Sequence, residues 1–422
     1  MIAELCERFG VGGRVRDAAL HAYERTRALE YGAQRRVAAR VLEAFLAEGV
    51  AESDLAGSTG YGYDDAARTR YESLLARVLG AQRALARFSI VSGTHAIVAA
   101  LAACTPQQKT LLSITGAPYD TLRNAICDAP YALTGEGIEY REVALRADGT
   151  VALDAVRKAL RSQDVAAVFV QRSRGYAPRK SLSIAECERA CATVKEIAPD
   201  TIVLVDNCYG ELVEEREPTH AGADLIMGSL IKNLGGSLAP AGGYVAGRAD
   251  LVERVAARLY APGLGGALGP TLGLGRALFQ GLFVAPMIVE QTLRGLDFTA
   301  ALFERLGYDV DPKPGSVRTD IVQAIRLGSP DLLQRFAAGL QAAMPVNARF
   351  RPEPGRVPGY ADPVLMSSGA FIAGATIELS CDAPMRPPYE VYLQGGVTAA
   401  HGYLGALFAA RAIDTPGSGT FP

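Results

Sequence analysis

The chain of 422 residues has no tryptophan and only four histidines, His21, His95, His220 and His401, each isolated in sequence. Of its 43 basic residues just six are lysines, at 109, 158, 180, 195, 232 and 313, so the other 37 are arginines. With so few histidines and no CxxC pair, the sequence offers no metal-ligand cluster, and neither a Walker sequence nor a Ser-His-Asp order is present. The seven cysteines (6, 104, 127, 187, 191, 208 and 381) are odd in number and scattered through apolar segments, which predicts reduced thiols and a cytoplasmic protein. A net charge of -2 lacks the basic surplus of a nucleic-acid binder, and 49% apolar against 21% charged residues excludes wholesale disorder. Long apolar runs are missing too. The least charged stretch, Ala261 to Val289, is interrupted by Gly, Pro and Arg276, which favours a buried segment over a membrane span. The opening "MIAELCERFGVGGRVRD" has no apolar core of a secretory signal.

What is present is alternation. Helical periodicity covers about residues 14–48 and 64–79, separated by "GSTGYGYDD". Short β-type runs then alternate with helical ones: "RFSIV" and "THAIVAALAA", "TLLSIT" and "YDTLRNAICD", "VAAVFV" and the helix behind Ser183, then "TIVLVD", "DLIMGSL" and "GGYVAG". This predicts an α/β fold with a mainly parallel sheet sandwiched by helices. Beyond about residue 290 a smaller α+β domain is expected, with a helix in "PDLLQRFAAGLQAAM" and a strand pair in "GAFIAGATIELS". The division reads as a helical arm and cross-subunit segment over 1–60, a large domain over 61–290 and a small domain over 291–422.

Against the arginine habit, Lys232 in "MGSLIKNLGGSLAPAGGYVAG" asks for an explanation, and a primary amine able to attack a carbonyl supplies one. Ligands of open α/β sheets sit beyond the carboxyl ends of the strands. "FSIVSGTHAIVAAL" brings Ser92 and Gly93 to a strand-to-helix junction suited to a phosphate. "TIVLVDNCYGE" ends a strand on Asp206, "GSLIKN" adds Ser229 and Lys232, and "SITGAPYDTL" adds the ring of Tyr119. A phosphate site, a stacking ring, an acid and a lysine together describe a pocket for pyridoxal 5'-phosphate. The glycines of "GLGGALG" lack the GxGxxG spacing of a dinucleotide site.

The series "GSTGYGYDD", "VSGTHAI", "GAPYDTL", "VFVQRSRGYAPRKSL", "VDNCYGE", "GSLIKNLGG", "APGLGGALGPTLG" and "FIAGATIELSCDAPMRPPYEVYLQGGVT" resembles the fold-type I pyridoxal-phosphate enzymes of cysteine and methionine metabolism. Within them it is most similar to the methionine gamma-lyase-like, or aluminium resistance protein, branch. The resemblance implies an aminotransferase-like fold and a covalent bond from Lys232 to the cofactor. It implies that Asp206 pairs with the pyridine nitrogen, that Tyr119 stacks on the ring, and that Ser92, Gly93, Thr94 and Ser229 surround the phosphate. Tyr61 or Tyr63 would reach in from a neighbouring subunit of a homodimer or homotetramer. The substrate carboxylate would take a forked cation, with Arg386 as the first candidate and Arg172 and Arg174 as competitors. The expected reaction is gamma-elimination or gamma-replacement on methionine, cystathionine, an activated homoserine or canavanine. Lys232 would move the proton, with a tyrosine (119, 61 or 63) assisting the leaving group. Beta-elimination, other chemistry of the same cofactor and a catalytically silent binding module are the alternatives. For a basic leaving group Asp64, Asp65 and Glu211 lie near relevant motifs. His95 sits near the phosphate or in the core, and Cys208 is buried or forms a pocket wall.

Overall fold

The computed structural model describes residues 1–162 and 164–414. They form two compact units, one drawn from residues 35–285 and one from residues 1–34 with 286–414, and the boundary at 285 falls inside the long helix Gly275–Arg305.

The larger unit is built on a seven-stranded sheet: β1 Arg83–Arg87, β2 Thr110–Ser113, β3 Glu139–Glu142, β4 Val165–Gln171, β5 Ile202–Asp206, β6 Leu225–Ser229 and β7 Gly243–Gly247. Their spatial order is β1-β7-β6-β5-β4-β2-β3. Neighbours from β6 to β3 are parallel, while β7 runs antiparallel to both β6 and β1. Two reversals cancel, so β1 points the same way as β6. The carboxyl ends of β1, β2, β4, β5 and β6 therefore open on one edge, which is where the sequence argument places a ligand. β4 and β5 are almost wholly buried and read as unbroken apolar runs, as strands covered on both faces must.

The first strand begins earlier than its sequence suggests. β1 is "RALAR", and "FSIV" is a turn that carries the chain to Ser92. The helix Gly93–Cys104 follows, burying Ala96, Ile97, Ala100, Leu101 and Cys104 in the same core as Leu111, Phe169, Leu204 and Val245. Each large side chain so buried contributes roughly 1.5–3 kcal/mol. The helix Ile184–Ile197 starts at Ser183 in a capping box: Ser183 Oγ accepts from the Glu186 amide at 3.2 Å, and Glu186 accepts from the Ser183 amide at 2.8 Å. The helical period over 14–48 resolves into two helices, Gly13–Thr26 and Gly32–Glu48.

The smaller unit holds an antiparallel sheet in the order β10-β11-β12-β9-β8, from β8 Asp309–Asp311, β9 Val322–Arg326, β10 Val364–Ser368, β11 Ser380–Pro384 and β12 Glu390–Gln394. The expected hairpin in "GAFIAGATIELS" does not form. Its first half is a loop in which the Glu378 carboxylate accepts from the Phe371 amide at 2.7 Å and from the Ile372 amide at 3.3 Å. A side chain thus takes the amides a strand would need, and Ser380–Pro384 pairs with Val364–Ser368 instead. None of the helices among the described residues is long and apolar enough to cross a membrane.

Candidate active site

At the edge where the parallel strands end, β5 delivers Asp206 and β4 delivers Gln171 directly beside it in register. β6 delivers Ser229, and Lys232 follows three residues later at the start of a short turn, with its amide 3.4 Å from Ser229 O. Asp206 is buried, and its Oδ1 accepts from the Cys208 amide at 3.0 Å. Burial pushes the Asp206 carboxyl above the ordinary range, while Lys232, the amide and thiol of Cys208 and Arg179 pull the other way. For the Lys232 amine, burial lowers proton affinity. Cys208, Tyr209, Asp206 and Tyr119 together outweigh it, and the amine stands well above its usual value.

The helix Gly93–Cys104 points its N-terminus at the same edge. Ser92 Oγ caps the His95 amide at 3.1 Å and Ser92 O takes the Ala96 amide at 3.1 Å. The amides of Gly93 and Thr94 have no partner within the helix, as at any helix start. Gly93 is the crowded point. A Cβ there would lie 3.1 Å from Cys208 Sγ and 3.5 Å from Ser229, so these three residues already touch. Cys208 is therefore buried against this helix start. Thr94 Oγ1 and the Tyr119 hydroxyl are 2.8 Å apart, and the Tyr119 amide donates to Gln171 Oε1 at 2.9 Å. Burial and the nearby Asp206 push the Tyr119 phenol far up, so it is a neutral hydroxyl. His95 is half-buried, its Nδ1 accepting from the Val91 amide at 3.3 Å.

Lys232, Asp206, Tyr119, Ser92, Gly93, Thr94 and Ser229 are thus gathered by one strand edge. The arginines part company. Arg172 is fully buried: Nε donates to Leu182 O at 3.2 Å, Nη1 to Asn207 Oδ1 at 2.7 Å and Gly210 O at 2.9 Å, and Nη2 to Glu214 Oε2 at 2.5 Å. With no exposed surface and four donors engaged internally, Arg172 cannot reach a substrate carboxylate; it knots the loop after β5. Arg174 is buried on the loop after β4. Arg386 lies in the smaller unit, half-buried, 3.3 Å from Asp362. Tyr61 and Tyr63 project from this chain with 75% and 55% of their surface exposed. Asp65 is no pocket acid, since its carboxylate is buried and accepts from Ser58, Arg68 and Thr271. Glu211 is fully buried and so is closed to a leaving group; Asp64 is exposed.

Three residues escaped the sequence reading. Arg179 braces the loop after β4 through Thr115 O, Gln171 O and Ser173 O at 2.8, 3.2 and 2.7 Å. Gln171 holds Tyr119. Tyr209 places its ring 3.8 Å from Lys232 Nζ. The only signal for Tyr209 was its position three residues beyond the strand-ending Asp206, which does not reveal where the ring points.

The model of the methionine gamma-lyase family matches residues 15–414. A carbon-sulfur lyase involved in aluminium resistance from Clostridium novyi NT superposes with a TM-score of 0.92 at 38% identity, over 97% of this chain and 98% of that one. A Clostridium acetobutylicum protein provisionally named a cystathionine beta-lyase involved in aluminium resistance gives 0.93 at 39% identity, over 98% of each chain. YnbB of Bacillus subtilis strain 168, itself uncharacterized, is 44% identical over 366 residues, 86% of this chain and 87% of that protein. A match over nearly the whole length, joined to a fold-type I sheet with the expected lysine and acid at one strand edge, means that the chain belongs to the methionine gamma-lyase family.

Proposed function

We propose that the chain is a pyridoxal-phosphate-dependent carbon-heteroatom lyase that removes a leaving group, by elimination or replacement, from Cγ of an amino acid such as methionine, cystathionine, an activated homoserine or canavanine. The supporting observation is the convergence of Lys232 and Asp206, from adjacent parallel strands, on the helix start at Gly93. The donor set fits the cofactor. Lys232 would hold its aldehyde covalently, Asp206 would face the ring nitrogen, Tyr119 the ring, and Ser92, Gly93, Thr94 and Ser229 the phosphate. The crowding at Gly93 is itself a fit, because any side chain there would fill the space in front of the helix amides.

Bound in this way, the cofactor supplies an electron sink that makes the Cα–H of an attached amino acid acidic. Lys232, set at the end of β6 beside Asp206, would take that proton and pass it on once its nitrogen is free of the cofactor. Tyr119, neutral and oriented by Thr94 and Gln171, can donate its hydroxyl proton to a departing group. Arg386 is proposed for the substrate carboxylate, with Arg174 as the competitor. Tyr61 and Tyr63, exposed on their own subunit, are proposed to complete a neighbour's site in a homodimer or homotetramer.

The name of the Clostridium acetobutylicum relative supports beta-elimination as the second reading. One panel separates the two. The purified chain with pyridoxal phosphate is offered methionine, cystathionine, O-acylated homoserines, canavanine and amino acids with Cβ leaving groups, and 2-oxo acid and ammonia are measured. 2-Oxobutyrate from the Cγ compounds supports gamma-elimination; pyruvate alone, whether from the Cβ compounds or from the Cβ–S bond of cystathionine, replaces it with beta-elimination; no product from any of them sinks the lyase reading.

A further inference from the structure

Glu211 lies on the turn after β5, and no step above uses it. Its side chain is fully buried; Oε1 accepts from the Tyr244 hydroxyl at 3.1 Å, and Oε2 has no hydrogen-bond partner among the described residues. The pair is pressed on the backbone of β6. A Cβ on Gly228 would lie 2.7 Å from Glu211 Oε1 and 2.7 Å from the Tyr244 ring, so the position just before Ser229 has no room for a side chain. The main chain of Glu211 is fastened as well. Asn233, the residue after Lys232, donates through Nδ2 to Glu211 O at 2.8 Å and to Tyr209 O at 3.1 Å. Glu211 is therefore clamped to the Lys232 segment from both sides, through Tyr244 and Gly228 and through Asn233.

The groups facing this carboxyl are Lys232, Glu217, Tyr244 and Cys208. Glu217 is already engaged, accepting from Asn207 Nδ2 and the Leu212 amide, each at 2.9 Å, with Arg40 at 3.6 Å. A buried carboxyl with one oxygen unpartnered is costly as an anion and comfortable as an acid. Burial pushes it up to about 8, Glu217 adds to the rise, and its own amide, Lys232 and Tyr244 pull it down.

We propose that Glu211 is a positioning residue of the Lys232 site, a carboxyl held as the neutral acid while Lys232 works, whose ionisation raises the proton affinity of the Lys232 nitrogen. The inference rests on the reading of Lys232 as the cofactor lysine.

The test compares the full-length wild type with Glu211→Gln and Tyr244→Phe. Thermal unfolding from pH 5 to 9 reads the carboxyl directly. The folded-state value is raised above the unfolded one, so the native protein holds the extra proton between about pH 4.5 and 8. Stability is lost as pH rises through that window. The Tm of Glu211→Gln should therefore gain on the wild type up to about pH 8 and then level off. In Tyr244→Phe, which removes a hydrogen bond that favours the anion, the loss should run on to higher pH. With pyridoxal phosphate supplied, the visible band that reports the proton on the Lys232 nitrogen should change at a pH at least ~0.5 unit lower in Glu211→Gln than in wild type. A Tm gap that stays flat with pH overturns the neutral acid, and coincident band midpoints overturn its coupling to Lys232. A wild-type chain that never colours overturns the cofactor reading instead, while the thermal comparison still decides the state of Glu211.

Discussion

Lys232 Nζ stands 3.8 Å from the centre of the Tyr209 ring, and Tyr209 is held there in a left-handed backbone conformation, φ 70°. Such a conformation costs a residue with a side chain about 1–3 kcal/mol, so neighbours must impose it. They do. Arg172 grips Asn207 and Gly210 on either side, and Asn233 grips Tyr209 O. The ring face is a cation site worth about 0.5–2 kcal/mol.

Tyr209→Phe keeps that face and Tyr209→Leu removes it. Phe should leave the proton affinity of Lys232 near the wild-type value, and Leu should lower it by about 0.5–1 unit. The measurement is the pH dependence of covalent capture of pyridoxal phosphate by the full chain, trapped with borohydride. Equal profiles for Phe and Leu would show that the ring face contributes nothing.

Gly93→Ala places a methyl 3.1 Å from Cys208 Sγ, closer than packed atoms accept without movement. The expected cost is about 1 kcal/mol of stability, with cofactor binding weakened about 10-fold or more because the methyl covers the helix start. Since Cys208 is the nearest obstacle, Cys208→Ala should restore part of the stability in the double variant, a coupling that distant sites do not show. Strict additivity of the two substitutions would refute the contact.

Asp65 connects the segment bearing Tyr61 and Tyr63 to residue 271. It accepts from the Ser58 amide and hydroxyl at 2.9 and 2.7 Å, the Arg68 amide at 2.8 Å and the Thr271 amide at 2.7 Å. Burial opposes the anion, but these donors outweigh it and draw the carboxyl down to about 2. A depressed folded-state value stabilises above the unfolded one, near 3.8, and the stabilisation is lost as pH falls through about 2. Asp65→Asn should therefore cost about 1–3 kcal/mol near neutral pH, and the gap should close on acidification. Denaturant unfolding at pH 7, 4 and 2 checks this; a gap of one size at all three would mean that charge is irrelevant there.

Strand-ending residues were the most legible part of the site, because an apolar run that stops on Asp206 or on Ser229 states both its burial and its edge. The Ser183–Glu186 cap was legible for a similar reason, since both partners lie within one turn. What could not be read depends on partners that the local period does not reveal. The reversal of β7 is fixed by pairing with β6 and β1, the loop at Phe371 by the Glu378 carboxylate, and the orientation of Tyr209 by Arg172 and Asn233. Local pattern also misplaced β1, because "FSIV" is as apolar as a strand yet turns the chain toward Ser92.

Arg172 and Arg386 carry the same charge and should fail in opposite ways. Removing Arg172 strands Glu214 and the Asn207 and Gly210 acceptors inside the protein, a change that costs about 3–5 kcal/mol for a buried pair. Arg172→Met should lower Tm by many degrees, and whatever folds should show a near-normal KM. The Arg386 ion pair with Asp362 is a partly exposed contact worth about 0–1 kcal/mol, so Arg386→Ala should leave Tm within a few degrees. If Arg386 meets the substrate carboxylate, its loss should raise KM about 10-fold or more, through a charge-assisted hydrogen bond worth about 1.5–3 kcal/mol, and should hardly affect binding of a ligand without a carboxylate. A normal KM in Arg386→Ala would pass the carboxylate to Arg174, and a raised KM in folded Arg172→Met would contradict the buried knot.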